Sequence, residues 1–452
     1  MEIYRFRTIN SLLGEHQELE KQSIYFAKKE ELNDPIEGYN EIYWNGDKIA
    51  WEGLFKHYIV GLYTSWQACI IGMPIEELPI IAVNIIRNQE FLEKENKIQE
   101  ILKKCMKNEQ LQKMINILEC KEEKISKSEL KRLLSLIHKL LLNIILENKL
   151  HLNYNKEKDI KEIEEFISAY SDIKEPEKSI LFGISQNIDE QYDFLQVYER
   201  QEKCSKLEYD KFLKIKFLYN DYPKKFVDKL IEFINEKGYI ASFSKEYSNF
   251  SMWGNYAKEH TGVCFVFEED LDHKIKLKQI NGSYEFNFTF DDINYLEEHN
   301  RLNYFNLLGR FFKDTRDFLL KNSNGEISKY YIEMNNDRDK WIEEYWNNFH
   351  RQYYIKSQDW KFEKEARLLL GDILDEFTEK EKRIFQYDFR DLKGIIFGIK
   401  TSDDDKIKIL KILSEKCKKE NRKDFKIYQA YFDEKERVMK RMELKLLEEV
   451  LL

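Results

Sequence analysis

Four short stretches collect the side chains that could do chemistry. In SMWGNYAKEHTGVCFVF, Ser251–Phe267, the residues Trp253, Tyr256 and His260 are spaced i, i+3 and i+7. On a helix that spacing shares one face. His260 would then fall in the last turn, where the helix dipole favours a protonated imidazole. Gly262 suits the helix end, and VCFVF follows as a buried strand. The alternative is an aromatic core face with a hydrogen-bonded structural histidine. NDPIE, Asn33–Glu37, puts an amide and two carboxylates, Asp34 and Glu37, on one tight turn. Its plainer role is a strand-to-helix connection capped by Asn or Asp. In KSQDWKFEKEARLLLGD, Lys356–Asp372, a strand would place Glu363, Glu365 and Arg367 on one face. Charges in a row on a central strand need partners or a purpose; an exposed edge is the alternative. Arg5, inside the short strand EIYRFR, is either exposed or placed to grip phosphate.

The elements that must position these groups follow from local pattern. EIYRFR (2–7) alternates as a first strand and SIYFA (23–27) reads as a second. Strand character returns in GYIASFSKE (238–246), GVCFVFE (262–268), KIKLKQING (274–282), ARLLLGD and KGIIFGI. Residues 51–72 fit a buried helix or a strand pair. From 79 to 237, apolar residues recur at helical spacing among dense Glu, Lys and Gln, with a cap signal at Ser128. Residues 294–355 look helical and aromatic-rich. From Lys406 a helix, a short strand (DFKIYQAYF) and a charged tail follow. The expected fold class is α+β: a small mixed or antiparallel sheet domain interrupted by a long helical insertion. The expected boundaries are 1–78 and 238–440 for the two parts of the core, 79–237 for the insertion and 441–452 for the tail.

Composition removes several function classes. The 452-residue chain is 42% hydrophobic and 14% aromatic, enough for a sizeable core. With 74 basic against 83 acidic residues its net charge is -9, which argues against a general nucleic-acid or anionic-membrane binder. Only 5 Pro and 16 Gly favour long helices over loops. The abundance of Lys, Ile, Asn, Tyr and Phe fits an AT-rich coding bias, so single lysines carry little signal. Six cysteines without CxxC spacing make a disulfide framework or zinc site unexpected. Cys264 beside His260 sits in an apolar strand, where burial makes a thiol inert. No P-loop, GxGxxG, GxSxG or HExxH occurs. No signal core or membrane-length apolar run is visible, so a cytoplasmic protein is expected.

Taken in order, YRF, NDPIE, FS followed by MWxxYxxxHxGxCxxF, WxxExE with Arg367, and the IIFG strand resemble a bacterial family, the domain of unknown function numbered 2971. The resemblance covers roughly residues 1–60 and 238–400. The helical block between NDPIE and ASFS is longer than is usual there, which agrees with an insertion. A second resemblance is to ADP-ribosyltransferases of the Arg-Ser-Glu class: Arg5, then Ser242-Phe243-Ser244, then Glu363-Lys364-Glu365. That resemblance implies an ADP-ribosyltransferase-like fold with NAD as substrate. Arg5 would hold the pyrophosphate, Ser242 and Ser244 would shape the ribose pocket, and Trp253 or Tyr256 would stack on the nicotinamide. Glu365 would stabilise the oxocarbenium-like centre.

Three functions are therefore weighed. The first is an NAD-consuming ADP-ribosyltransferase-like effector, in the toxin or phage-defence setting that the family resemblance suggests. Its partners would be a small-molecule nucleotide and a macromolecular acceptor, with no membrane and no metal. The second is a metal-dependent hydrolase or nuclease, with Asp34, Glu37 and Glu363 as oxygen ligands beside His260. The third is a non-catalytic nucleotide- or partner-binding module. The helical insertion is a candidate surface for a homo-oligomer or a regulatory partner.

Overall fold

The computed structural model describes residues 1–34, 37, 40–82, 96–120, 124–146, 206–234, 237–280, 282, 284–296, 300–372 and 375–445. The chain divides into two compact units. One takes Met1–Asn40, Glu236–Asn300 and Asn347–Leu452; the other takes Glu41–Asn235 and Arg301–Trp346. The fold is α+β, as its sequence pattern leads one to expect. The helix-rich unit begins at Glu41 rather than at 79, and it also draws in 301–346.

In chain order the strands are β1 (Glu2–Arg7), β2 (Ser23–Tyr25), β3 (Asn40–Tyr43), β4 (Lys237–Ser244), β5 (Val263–Glu268), β6 (Lys274–Gln279), β7 (Glu285–Thr289) and β8 (Asp291–Asp292). They continue as β9 (Asn294–Leu296), β10 (Asn300–Asn303), β11 (Ile355–Ser357), β12 (Glu365–Asp372), β13 (Ile384–Tyr387), β14 (Leu392–Phe397), β15 (Lys426–Asp433) and β16 (Val438–Glu443).

The first unit is built on an eight-stranded sheet in the order β16-β15-β14-β5-β1-β4-β12-β8. Its pairs are antiparallel except β14 with β15. That parallel pair is joined by the helix Asp403–Lys419, because a parallel pairing needs a crossover. A four-stranded sheet, β2-β13-β6-β7, faces one side. Between the two sheets Phe26, Phe243, Phe267, Phe288, Phe385 and Leu368 form one core. On the other side of the large sheet Tyr4, Phe6, Cys264 and Val266 pack on Met252 and Trp253. With apolar groups on both faces, β1 and β5 are buried throughout their middles, so VCFVF is continuous rather than alternating. Strand β16 reaches Glu443, so the first residues expected as a charged tail close the sheet edge; residues 446–452 lie outside those described.

The second unit centres on the helix Lys48–Ile70, which resolves the helix-or-strand-pair alternative at 51–72. Asp47 caps it by accepting from the Ala50 N–H at 2.9 Å. Apolar residues surround this helix, including Leu118, Leu134, Ile137, Phe226 and Leu319. The helix Lys127–Leu146 carries His138, whose ring nitrogens meet the Tyr58 hydroxyl and the Leu218 carbonyl, each at 2.7 Å. Its cap is Ser126 rather than Ser128. Ser126 Oγ accepts from the Glu129 N–H at 3.3 Å, and Glu129 reaches back to the Ser126 N–H at 2.8 Å, a capping box.

Candidate functional site

The site lies where β1 and β4 part. These neighbours are joined by the single residue pair Tyr4↔Ser244. Further along β4, Ile240 bonds instead to Ala27, with N–H···O distances of 2.8 and 2.9 Å. The opening is a cleft of about 210 Å³ within the first unit. Arg5, Asn33, Glu37, Ser242, Ser244, Tyr256, Glu363 and Glu365 all line it, with Lys356 among them.

Strand register places the acidic end. Tyr4, Ser244 and Glu365 lie across from one another, and Ser242 faces Arg367, so all five share one sheet face. Glu363 arrives differently from the expected strand. It ends a 3₁₀ turn, Gln358–Glu363, and Lys364 at φ 42° turns the chain into β12. Both glutamates then face the same point. Lys356 Nζ, from β11, donates to Glu363 Oε2 at 2.6 Å and Glu365 Oε2 at 3.0 Å, and lies 3.6 Å from Glu37 Oε2. Arg367 grips Glu365 through Nε at 2.7 Å and Nη2 at 2.8 Å, pairs with Glu37, and donates Nη1–H to the Tyr353 carbonyl at 2.7 Å. The Tyr256 hydroxyl donates to Glu363 Oε1 at 2.6 Å. Asp34 is buried and acts electrostatically on Arg367. Lys356, Glu37, Glu363, Glu365 and Arg367 are each at most 7% exposed. The charged row is thus a buried, paired cluster and not an exposed edge.

Burial raises the Glu365 carboxyl to about 7; Lys356 opposes the shift and Glu363 adds to it. For Lys356, burial opposes its charge, yet Glu365 and Glu363 outweigh that and hold the ammonium above its ordinary range. Burial lowers Arg367 to about 9, against the pull of Asp34. Tyr256 is pushed up by burial and then by its bond to Glu363.

Arg5, from the neighbouring strand β1, also lines the cleft. By alternation it leaves β1 on the other sheet face, with its guanidinium 5.3 Å from the Phe243 ring centre. It is 7% exposed. Among the described residues its guanidinium has no carboxylate at ion-pair distance. The nearby carboxylate, Glu18, is taken by Arg7, which donates Nε–H at 2.5 Å and also bonds through Nη2. Burial and then Arg7 lower Arg5 to about 10, with Glu18 opposing.

Other expected groups fall elsewhere. Trp253 is fully buried, edge-on to Phe6 at 5.1 Å, with its indole N–H on the Tyr247 carbonyl at 2.6 Å. It is core and does not line the cleft. The helix Phe250–Tyr256 stops before His260, which follows in a turn where Lys258, Glu259 and His260 all have positive φ. His260 stacks parallel to Trp253 at 6.4 Å, away from the cleft lining. Its expected protonation at a helix end is reversed: burial and then Lys400 lower its pKa. The turn is a clamp. The His260 carbonyl accepts from Lys400 N–H at 3.0 Å, and Thr401 Oγ1 donates to the Gly262 carbonyl at 2.7 Å. A Cβ on Gly398 would strike both carbonyls, and one on Gly262 would strike the Arg7 carbonyl. Ser244 is likewise engaged internally, its hydroxyl donating to the Glu363 carbonyl at 2.7 Å.

Lys356 carries no signal of its own in a chain so rich in lysine. A usable signal is the pair Glu363 and Glu365 beside Arg367, two carboxylates near one buried guanidinium that call for a second cation. Among the described residues no three His, Cys, Asp or Glu side chains are grouped to hold a metal ion. Among them, too, no helix is long and apolar enough to cross a membrane.

The model of a family described as Protein of unknown function (DUF2971) matches residues 252–368. The match upholds the resemblance over that stretch, well under half of the 452-residue chain. It takes in Tyr256, Lys356, Glu363, Glu365 and Arg367, while Arg5 and NDPIE lie outside it. No curated protein and no solved structure matches the chain.

Proposed function

We propose that the cleft binds NAD and breaks its nicotinamide–ribose bond, making the protein an ADP-ribosyltransferase-like enzyme. The observation that carries this is that one cleft is lined both by a buried arginine with no carboxylate at ion-pair distance among the described residues and by converging carboxylates. The nicotinamide half of NAD carries the complementary charges, a phosphate joined through ribose to a cationic ring. Arg5 takes the phosphate. Glu365 faces the ribose carbon as positive charge develops there. The C–N bond breaks, its electron pair passes to the ring nitrogen, and neutral nicotinamide leaves. Water or an acceptor nucleophile then bonds to that carbon and loses a proton.

The test uses NAD labelled separately in nicotinamide and in adenylate phosphate, with the intact protein and a cell lysate. Nicotinamide release or label transfer that Glu365→Gln abolishes supports the reading. Neither product from wild type overturns it. A non-catalytic nucleotide-binding role is the second reading, favoured by the full engagement of Glu365 by Arg367 and Lys356. It predicts calorimetric binding without turnover. Metal-dependent hydrolysis has no comparable support, because Glu37, Glu363 and Glu365 direct their oxygens at Lys356 and Arg367.

A further inference from the structure

Glu365 is surrounded by charged and hydrogen-bonding groups. Arg367 bonds to it from its own strand, and Lys356 from β11. The β4 hydroxyl of Ser242 hydrogen-bonds to it, and Tyr295 from β9 accepts the Glu365 backbone N–H at 2.8 Å. Glu363 approaches from the 3₁₀ turn, carrying the Tyr256 hydrogen bond. Glu37 and Asp34 come from the loop after β2 and engage Lys356 and Arg367. Arg367 is shared between Glu365 and Glu37, so it cannot answer all three lining glutamates. Among the described residues the other cation on the acidic wall is Lys356, 5% exposed, with its ammonium also 5.0 Å from the Trp360 ring centre.

We infer that Lys356 is a positioning residue: its ammonium, hydrogen-bonded to Glu363 and close to Glu37, favours the charged form of Glu365 and fixes the orientation of its carboxylate in the cleft wall. The inference goes beyond the transferase reading, which assigns Lys356 no part, and it rests on that reading only for what the charged Glu365 then does. Two neighbouring carboxylates in a buried site resist ionising together. An ammonium within hydrogen-bond reach of both eases that conflict, and its flexible stem lets one charge serve three oxygens.

The experiment titrates Glu365 directly. The full chain is labelled with ¹³C at glutamate side-chain carboxyls, and Glu365→Gln identifies the resonance. Wild type, Lys356→Met and Lys356→Arg are compared from pH 5 to 9. In Lys356→Met the midpoint moves upward by about one pH unit or more, and Lys356→Arg restores most of it. Lys356→Gln, uncharged but still a donor, gives the same upward shift and serves where Lys356→Met does not fold. An unchanged midpoint in the folded uncharged variants overturns the inference, as does an arginine variant that shifts as far as the methionine one. NAD turnover is read alongside. A shifted midpoint with no turnover in wild type sinks the transferase reading alone. Turnover with an unshifted midpoint sinks the role of Lys356 alone.

Discussion

Arg367 holds Glu365, two positions before it on the same strand, through two parallel hydrogen bonds of 2.7 and 2.8 Å. Both side chains are out of solvent. Removing one partner leaves the other charge buried and uncompensated, a loss of about 3–5 kcal/mol. Arg367→Met should therefore lower stability in urea by that order, and Arg367→Met with Glu365→Gln should recover part of it. A single-variant loss below about 1 kcal/mol would contradict the pairing.

Arg5 should show the opposite signature. A buried guanidinium with no carboxylate is costly, so Arg5→Met should leave stability unchanged or raise it by about 1 kcal/mol. The same variant should bind NAD or a free mononucleotide at least about tenfold more weakly, since a charge-assisted phosphate contact is lost. Thermal unfolding and calorimetry on one preparation check both. Undiminished nucleotide affinity would remove Arg5 from the site.

The pH profile follows from Glu365. Its carboxyl is raised to about 7, so it is neutral below that pH and charged above it. Stabilising a cationic centre needs the charged form, so nicotinamide release should rise with pH through about 7. Glu365→Gln should be low and flat. A rate that falls across this interval would argue against a carboxylate in that role.

In the helix-rich unit, burial lowers both His57 and His138 to about 4. Their folded values lie below the ordinary 6.5, so the unfolded chain takes up protons first as pH falls. Stability is fully present above about 6.5 and is lost as pH drops towards 4. Between pH 7 and 5 each histidine should cost roughly 2 kcal/mol. Denaturant melts at the two pH values check this, with His138→Gln predicted to show a smaller difference than wild type.

Gly398 should prove structural. A methyl there meets the His260 carbonyl and lies 2.9 Å from the Gly262 carbonyl oxygen. Gly398→Ala should cost about 1–3 kcal/mol. Faster amide exchange should centre on 258–262 and 398–401. Loss confined to nucleotide binding, with normal stability, would place this turn in the site instead.

Much of the chain was legible from pattern. Alternation marks β1, strand-like composition marks β4 and β12, a continuous apolar run marks β5, and helical spacing marks much of the second unit. These signals are local, because period 2 and period 3.6 are properties of the backbone itself. The helix over 250–256 was legible too, but its length was not. Three left-handed residues end it early, and no residue type among Lys258, Glu259 and His260 demands that conformation.

What the sequence by itself determined is which side chains share a face within one strand, Ser242 with Ser244 and Glu365 with Arg367; it took the pairing of β4 with β12 to stand the two pairs together. Tertiary structure decided the rest. It placed Trp253 and His260 in a core and a clamp, because their rings pack behind β1 rather than beside the cleft. It turned Glu363 inward through Lys364, and it brought Lys356 from another strand to answer three carboxylates. It also parted β1 from β4 after one residue pair, which opened the cleft to Arg5 from the opposite face. Charges find their partners by distance in space, and spacing along the chain carries no record of that.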